Sequence, residues 1–168
     1  EMCIRDRLSV VPNGFASILA KKEKAIGVQL YSVRDDLKTD FDGTMKALVD
    51  IGYKRMEAAG YRDGKFYGKS PAEMKKYLAD LGARMVGSHT GSGLLAEGDT
   101  KGWDFWKKNA ADTAEVGCKW IVQAGYPSKD IKSLSDVKRL ADQFNKCGEI
   151  AKANGLRFAF HNLSLIHI

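Results

Sequence analysis

The chain has 168 residues, a formal net charge of +6, and hydrophobic and charged fractions of 44% and 29%. These values are typical of one ordinary globular domain with a real core. No run approaches the roughly 20 apolar residues that a membrane span needs, and the lysines are scattered rather than clustered on one face. We therefore expect neither a membrane partner nor a nucleic-acid partner.

The three cysteines are Cys3, Cys118 and Cys147. They are odd in number and far apart, so they form neither a disulfide framework nor a zinc motif. Cys118 falls in a strand-like run and Cys147 on a helical pattern, and both are expected to be buried free thiols.

The two ends of the chain differ from the part between them. EMCIRDR at the start and LSLIHI at the end resemble translated sequencing-adapter read-through. LSVVPNGFASILA followed by KKEK is typical of the end of a signal peptide, and an N-terminal strand or disordered leader is the alternative. We therefore expect a non-native start with a signal-peptide remnant over residues 1–23, a domain over 24–162 and a non-native tail over 163–168. A signal peptide would make the protein periplasmic or secreted, and without one it would be cytoplasmic.

The first half of the domain predicts two strands and two helices from its hydrophobic spacing. The first strand covers 26–34, and a helix runs from Asp40 to a stop at Gly52. The second strand covers 54–61. The next helix begins at Ser70-Pro71-Ala72-Glu73, which combines an N-cap, a proline at the first position and a capping glutamate.

The second half repeats the same alternation. RMVGSH is the third strand, and a helix follows from Trp103 to Val116. CKWIVQA is the fourth strand, and Ser133 or Ser135 caps the helix after it. LRFAFH is the fifth strand.

Strands that alternate with helices imply crossover connections and a parallel sheet. No GxGxxG motif follows the first strand, which argues against a dinucleotide-binding doubly wound sheet. A complete (β/α)8 barrel typically needs about 250 residues. The predicted fold is therefore α/β, an incomplete (β/α)8 TIM barrel with about five parallel strands and four helices.

Each predicted strand ends in a polar side chain. In chain order these are Gln29, Glu57, His89, Gln123 and His161. Because the carboxyl ends of barrel strands meet at one mouth, where substrates bind, we expect these groups to form one side of an active site. An imidazole can bind hydroxyl groups, ligate a metal or move protons near neutral pH, although a single histidine is more often a packing residue. Glu57 lies in an apolar strand, so it needs a partner, either a substrate hydroxyl or Arg34 or Arg55.

Four segments resemble a known family. IGVQLYSVRDDL, GYKRMEAAGYRDGKFYGKSPAEMKKYLADLG, SHTG and ANGLRFAFHN are similar to the sugar phosphate isomerase/epimerase family of the xylose isomerase-like TIM barrels, over about residues 24–162. The resemblance implies an enzyme that isomerises or epimerises a sugar, keto-sugar or sugar phosphate by proton transfer at a carbon next to a carbonyl. It also implies a divalent metal ion (Mn, Mg, Co or Zn) as Lewis acid. The full-length protein could also form a homo-oligomer.

The resemblance also bears on the site residues. Gln29, Glu57, His89 and His161 match positions that line the barrel mouth, so they are expected to bind the substrate, and none is assigned as a metal ligand. The family's metal ligands and catalytic carboxylates come chiefly from the fifth strand onward, where this chain continues as LSLIHI. The catalytic residues are therefore unknown, and the 168-residue chain is expected to be inactive. An endonuclease IV-like phosphodiesterase, or a sugar-binding or lyase-like relative on the same barrel, is the alternative.

Overall fold

The computed structural model describes residues 26–162. The leader and tail expected at 1–23 and 163–168, and Cys3, lie outside the described residues. Strands and helices alternate along the described part, and their bounds are β1 (Gly27–Gln29), α1 (Arg34–Thr39), α2 (Phe41–Ile51), β2 (Arg55–Ala58), β3 (Tyr61–Arg62), β4 (Lys65–Phe66), α3 (Pro71–Asp80), β5 (Arg84–Thr90), α4 (Thr100–Glu115), β6 (Trp120–Gln123), α5 (Leu134–Ala153) and β7 (Arg157–Phe160). None of these helices has the length and hydropathy of a membrane span.

The main sheet has five strands in the order β1-β2-β5-β6-β7. Every neighbouring pair in it is parallel, so the predicted parallel α/β sheet of five strands is confirmed. β1 and β7 are its two edges. The carboxyl ends of the five strands therefore lie along one rim of an open sheet.

The first predicted strand is too long. β1 ends at Gln29, and the residues that follow form a 3₁₀ turn, Leu30–Val33, which leads into α1. The side chain of Gln29 accepts a hydrogen bond from the backbone N–H of Tyr31, and this local bond replaces continued strand pairing. The structure thus has five α-helices in its described part, one more than predicted.

The second predicted strand is also divided. β2 ends at Ala58, and β3 pairs with β4 in a separate antiparallel hairpin. Asp63 and Gly64 form its two-residue loop, and both have positive φ, at 52° and 76°. An Asp-Gly pair is a strong signal for such a hairpin, and the sequence prediction missed it.

The helix starts agree better with the predictions. Ser70 accepts from the N–H of Glu73 at 3.3 Å, and the Glu73 carboxylate accepts from the N–H of Ser70 at 2.7 Å, so the capping box is present. α4 begins at Thr100, three residues before the predicted start, because Asp99 caps it. Gly52 has a φ of 115° at the end of α2, as its predicted role as a stop requires.

Of the two serines predicted to cap α5, the structure selects Ser133. Its hydroxyl accepts from the N–H of Asp136 at 3.2 Å, whereas Ser135 lies exposed inside the helix. We expect Ser133→Ala to lower the free energy of unfolding by about 1 kcal/mol, because a helix N–H loses its acceptor. Ser135→Ala is the matched control and should leave stability unchanged or slightly raise it. Urea unfolding followed by circular dichroism measures both, and equal losses would contradict the assignment.

The core lies between the sheet and its helices. Met56, Ala58, Met85 and Ile121 face the helices from the strands and are fully buried, together with Trp106 of α4. Cys118 and Cys147 are buried free thiols, as expected. Burial raises the pKa of each thiol to about 12, so both stay protonated and unreactive near neutral pH.

The pairing of β2 with β5 contains a one-residue register shift. Met56 pairs with Met85, but Glu57 pairs with Gly87, which leaves Val86 between the two pairs. Side chains alternate between the faces of a strand, so an extra residue reverses the alternation beyond it. Before the shift, Met85 faces the helices with Met56. Beyond it, Gly87 and then His89 face the same side as Glu57.

Candidate functional site

A cleft of about 700 Å³ opens at the carboxyl ends of β1, β2, β5 and β7. Its lining consists of Gln29, Tyr31, Ser32, Glu57, Ala59, His89, Ala124 and His161. The four side chains predicted to bind substrate are therefore brought together by strands that are separate in sequence. Gln29 is the last residue of β1, Glu57 and His89 lie near the ends of β2 and β5, and His161 directly follows β7.

Glu57 and His89 form the centre of the cleft. Glu57 Oε2 lies 3.5 Å from His89 Nε2, and the two side chains are 28% and 12% exposed. Glu57 thus pairs with His89 rather than with Arg34 or Arg55, since Arg34 contacts Asp35 instead. A carboxylate and an imidazole in contact can accept and donate hydrogen bonds to adjacent hydroxyl groups.

The second imidazole lies beside the first. The ring centroids of His89 and His161 are 4.9 Å apart, in an edge-on arrangement. Burial lowers the pKa of His89, the nearby His161 acts in the same direction, and the Glu57 carboxylate opposes them. His89 is therefore held in its neutral form at pH values where an exposed histidine begins to gain a proton.

Gly87 makes room for the Glu57 side chain. The two residues are register partners on neighbouring strands, and a Cβ atom added to Gly87 would lie 3.1 Å from Glu57 Oε1. The absence of a side chain at this position lets the glutamate lie across the neighbouring strand. The sequence prediction did not identify this residue, because the signal depends on the register between β2 and β5.

Gln123 does not belong to the cleft, although it ends a strand like the other four residues. It pairs in register with Thr90, on the helix-facing side, and is 3% exposed. Its amide donates to the carbonyl oxygens of Ser92 and Gly125 at 3.1 and 2.9 Å, and accepts from the N–H of Ser92 at 3.3 Å. The expectation that it forms part of the ring is therefore wrong, and its role is to fix the loop after β5.

Two helices hold the same loop from the other side. Trp106 Nε1 donates to the hydroxyl oxygen of Ser92 at 3.0 Å. The Gln143 amide donates to that hydroxyl and to the carbonyl oxygen of Gly93, and accepts from the N–H of Leu95. These bonds fix the wall of the site on a buried polar network.

A second cleft of about 580 Å³ adjoins the first and shares Ala59, His89 and Ala124 with it. It lies between the β3–β4 hairpin and α4. The Tyr61 hydroxyl donates to Asp112 at 2.7 Å, and Lys108 contacts the same carboxylate at 2.8 Å. Burial and this carboxylate raise the pKa of Tyr61, so the phenol stays a donor that attaches the hairpin to α4.

The described residues do not complete a metal centre. Among residues 26–162 no group of three or more His, Cys, Asp or Glu side chains is placed to hold an ion. A catalytic zinc site usually has three protein ligands, so the Glu57–His89 pair alone is insufficient. The part of the main cleft's lining that the structure describes also carries no lysine or arginine.

Comparison with known proteins agrees with the fold. The family model described as a xylose isomerase-like TIM barrel matches residues 45–165. No curated protein matches the sequence.

Solved structures with a similar fold agree with the family model. Two crystal structures of sugar phosphate isomerase/epimerases from Parabacteroides distasonis ATCC 8503 are similar, one at 33% identity over 86% of this chain and 53% of that chain with a TM-score of 0.74. The other has 29% identity over 82% of this chain and 54% of that chain, with a TM-score of 0.68. The IolI protein with a bound zinc atom shares the fold at 17% identity, over 75% of this chain and 46% of that chain, with a TM-score of 0.55. The chain spans about half the length of these structures.

Proposed function

Because the chain belongs to the xylose isomerase-like TIM-barrel family, we propose that the whole protein is a sugar isomerase or epimerase. The proposed reaction moves a proton at a carbon next to a carbonyl group. The similarity to two sugar phosphate isomerase/epimerases, at 33% and 29% identity, supports this class of reaction. The family membership and the incomplete barrel of parallel strands agree with the interpretation of the sequence.

The observation that carries the proposal is the convergence of Gln29, Glu57, His89 and His161 on one cleft. A carboxylate that accepts, an amide that donates and two imidazoles that can do either suit the hydroxyl groups of a sugar. The low exposure of Glu57 and His89 strengthens their hydrogen bonds, because water competes less in a part-buried site. In this proposal the four side chains bind and orient the sugar.

The charge of the cleft favours an uncharged substrate. Among the described residues that line the cleft, Glu57 is the charged side chain, and no lysine or arginine accompanies it. A phosphate group or a DNA backbone would meet a carboxylate without a compensating lysine or arginine, which is unfavourable. We therefore propose a keto-sugar or polyol rather than a nucleic acid as the ligand of this cleft.

We also propose that the whole protein uses a divalent metal ion, one of Mn, Mg, Co or Zn. The IolI protein, which shares the fold, has a bound zinc atom. Such an ion would polarise the substrate carbonyl as a Lewis acid. Residues 26–162 bring together too few donor side chains to hold the ion. Most of its ligands would therefore come from outside this range. The proposal therefore includes that the 168-residue chain is inactive by itself.

Solvent isotope exchange tests this function. When the whole protein is incubated with a panel of keto-sugars and Mn²⁺ in D₂O, we expect deuterium at the carbon next to the carbonyl, measured by NMR. Chelation of the metal should abolish the exchange, and the 168-residue chain is the control without activity.

Other products would point to the alternatives. Exchange with none of the sugars would contradict the proposal. Cleavage of DNA at abasic sites would favour an endonuclease IV-like enzyme, and a product with a new double bond would favour a lyase-like relative.

A further inference from the structure

Gln29 is bonded at both ends of its amide, and this determines its orientation. Its Oε1 accepts from the backbone N–H of Tyr31 at 2.6 Å, and its Nε2 lies 3.1 Å from His89 Nδ1. A backbone N–H is always a donor, so the amide oxygen must face Tyr31. A flipped amide would place its NH₂ group against that N–H. The NH₂ group of Gln29 therefore points at the imidazole.

The orientation of the amide determines where the proton lies on His89. The NH₂ group of Gln29 is a donor, so Nδ1 must be the unprotonated, accepting nitrogen of the ring. The proton of the neutral imidazole then sits on Nε2, which faces Glu57 Oε2 at 3.5 Å. The opposite ring orientation would place carbon atoms against both Gln29 and Glu57, and so would lose both contacts.

We propose that Gln29 is a positioning residue that fixes His89 as the Nε2–H tautomer, so that His89 presents one N–H to a substrate oxygen beside the Glu57 carboxylate. The same bond disfavours a doubly protonated ring, because a proton on Nδ1 would face the NH₂ group of Gln29. Of the charged or titratable groups that face His89, Glu57 from β2 favours the imidazolium and His161 after β7 disfavours it.

The two central side chains of the cleft then have different hydrogen-bonding roles. His89 donates through Nε2 and Glu57 accepts, so a sugar bearing adjacent oxygen atoms can bridge the pair. Gln29 uses its amide oxygen and one N–H to fix His89, and the second N–H of its NH₂ group is left to donate to the sugar. The use of this arrangement in catalysis rests on the proposed function, whereas the tautomer itself rests on the contacts alone.

Nitrogen-15 NMR of the full chain labelled at histidine tests the tautomer directly. Protonated and unprotonated ring nitrogens have well-separated ¹⁵N shifts, and magic-angle spinning reads them even where the protein associates. His89→Gln identifies the His89 signals by their loss, and His161 is the internal control. We expect His89 to show an unprotonated Nδ1 and a protonated Nε2, and to titrate below the usual histidine range.

Gln29→Glu is the decisive variant, since it keeps the shape of the side chain and the acceptor for Tyr31. The new carboxylate oxygen can accept from Nδ1 but cannot donate to it, so we expect the proton to move to Nδ1 and the pKa of His89 to rise. Gln29→Met removes the donor without adding charge, and should give a mixture of tautomers. A His89 that is protonated on Nδ1 in the unaltered chain would overturn the inference. An unchanged tautomer in both variants would also overturn it, whether or not the enzyme assay succeeds.

Discussion

Trp106→Ala should lower the free energy of unfolding by about 3 to 5 kcal/mol, the usual cost of truncating a large buried aromatic side chain. Trp106 is 1% exposed and packs at 5.9 Å, between ring centroids, against Phe158 of β7. Its indole N–H also donates to Ser92. The substitution therefore leaves a cavity and removes a bond that holds the loop after β5. Urea unfolding followed by circular dichroism at low protein concentration measures the loss.

Trp120→Ala is the matched control. Trp120 is 40% exposed on the opposite face of the sheet, where Arg157 lies over its ring at 5.4 Å. Truncating a half-exposed ring removes less buried area, so we expect less than half the loss seen for Trp106. Equal losses for the two variants would show that the core does not lie between the sheet and α4.

Glu57→Gln should lower kcat/KM of the whole protein for its sugar about 10- to 100-fold. The change keeps the size of the side chain but replaces a charged acceptor, and hydrogen bonds to charged groups are worth about 1.5 to 3 kcal/mol. The amide oxygen can still face the N–H of His89 Nε2, which lies 3.5 Å from Glu57 Oε2, but it lacks the negative charge. Steady-state kinetics with the sugar identified by isotope exchange measures the effect.

Glu73→Gln is the corresponding control, because glutamine also serves in a capping box. Glu73 lies at the start of α3 and bonds to Ser70, outside the lining of the cleft. Its kcat/KM should match that of the unaltered enzyme. A Glu57→Gln variant that is equally active would remove Glu57 from substrate binding.

The alternation of strands and helices was predictable because it depends on local spacing and on caps such as Ser70 and Gly52. The end of β1 was not predictable in this way. The apolar alternation of the strand continues through Leu30, although the amide of Gln29 already starts a 3₁₀ turn there. The β3–β4 hairpin carried a readable Asp63-Gly64 signal, but its two strands have two residues each and are too short to show an alternating pattern.

The candidate site also has a part that was predictable from the sequence and a part that was not. The rule that polar strand ends converge placed Gln29, Glu57, His89 and His161 correctly in one cleft. The rule failed for Gln123, because the face on which a strand-end residue lies depends on register and not on its position in the strand. Contacts between strands, such as that of Gln29 with His89, are set by the folded sheet and leave no local pattern in the sequence.

The extra residue in β5 makes the ligand pocket sensitive to which residue of that strand is lost. Loss of Val86 would remove the unpaired residue and leave Glu57 opposite Gly87, so the imidazole of His89 would stay on the cleft side. Loss of Ser88 would instead move His89 into the place of Ser88, and the imidazole would turn into the apolar layer beneath the helices. A three-base deletion at codon 88 would therefore disable the ligand pocket, whereas the same deletion at codon 86 would preserve it.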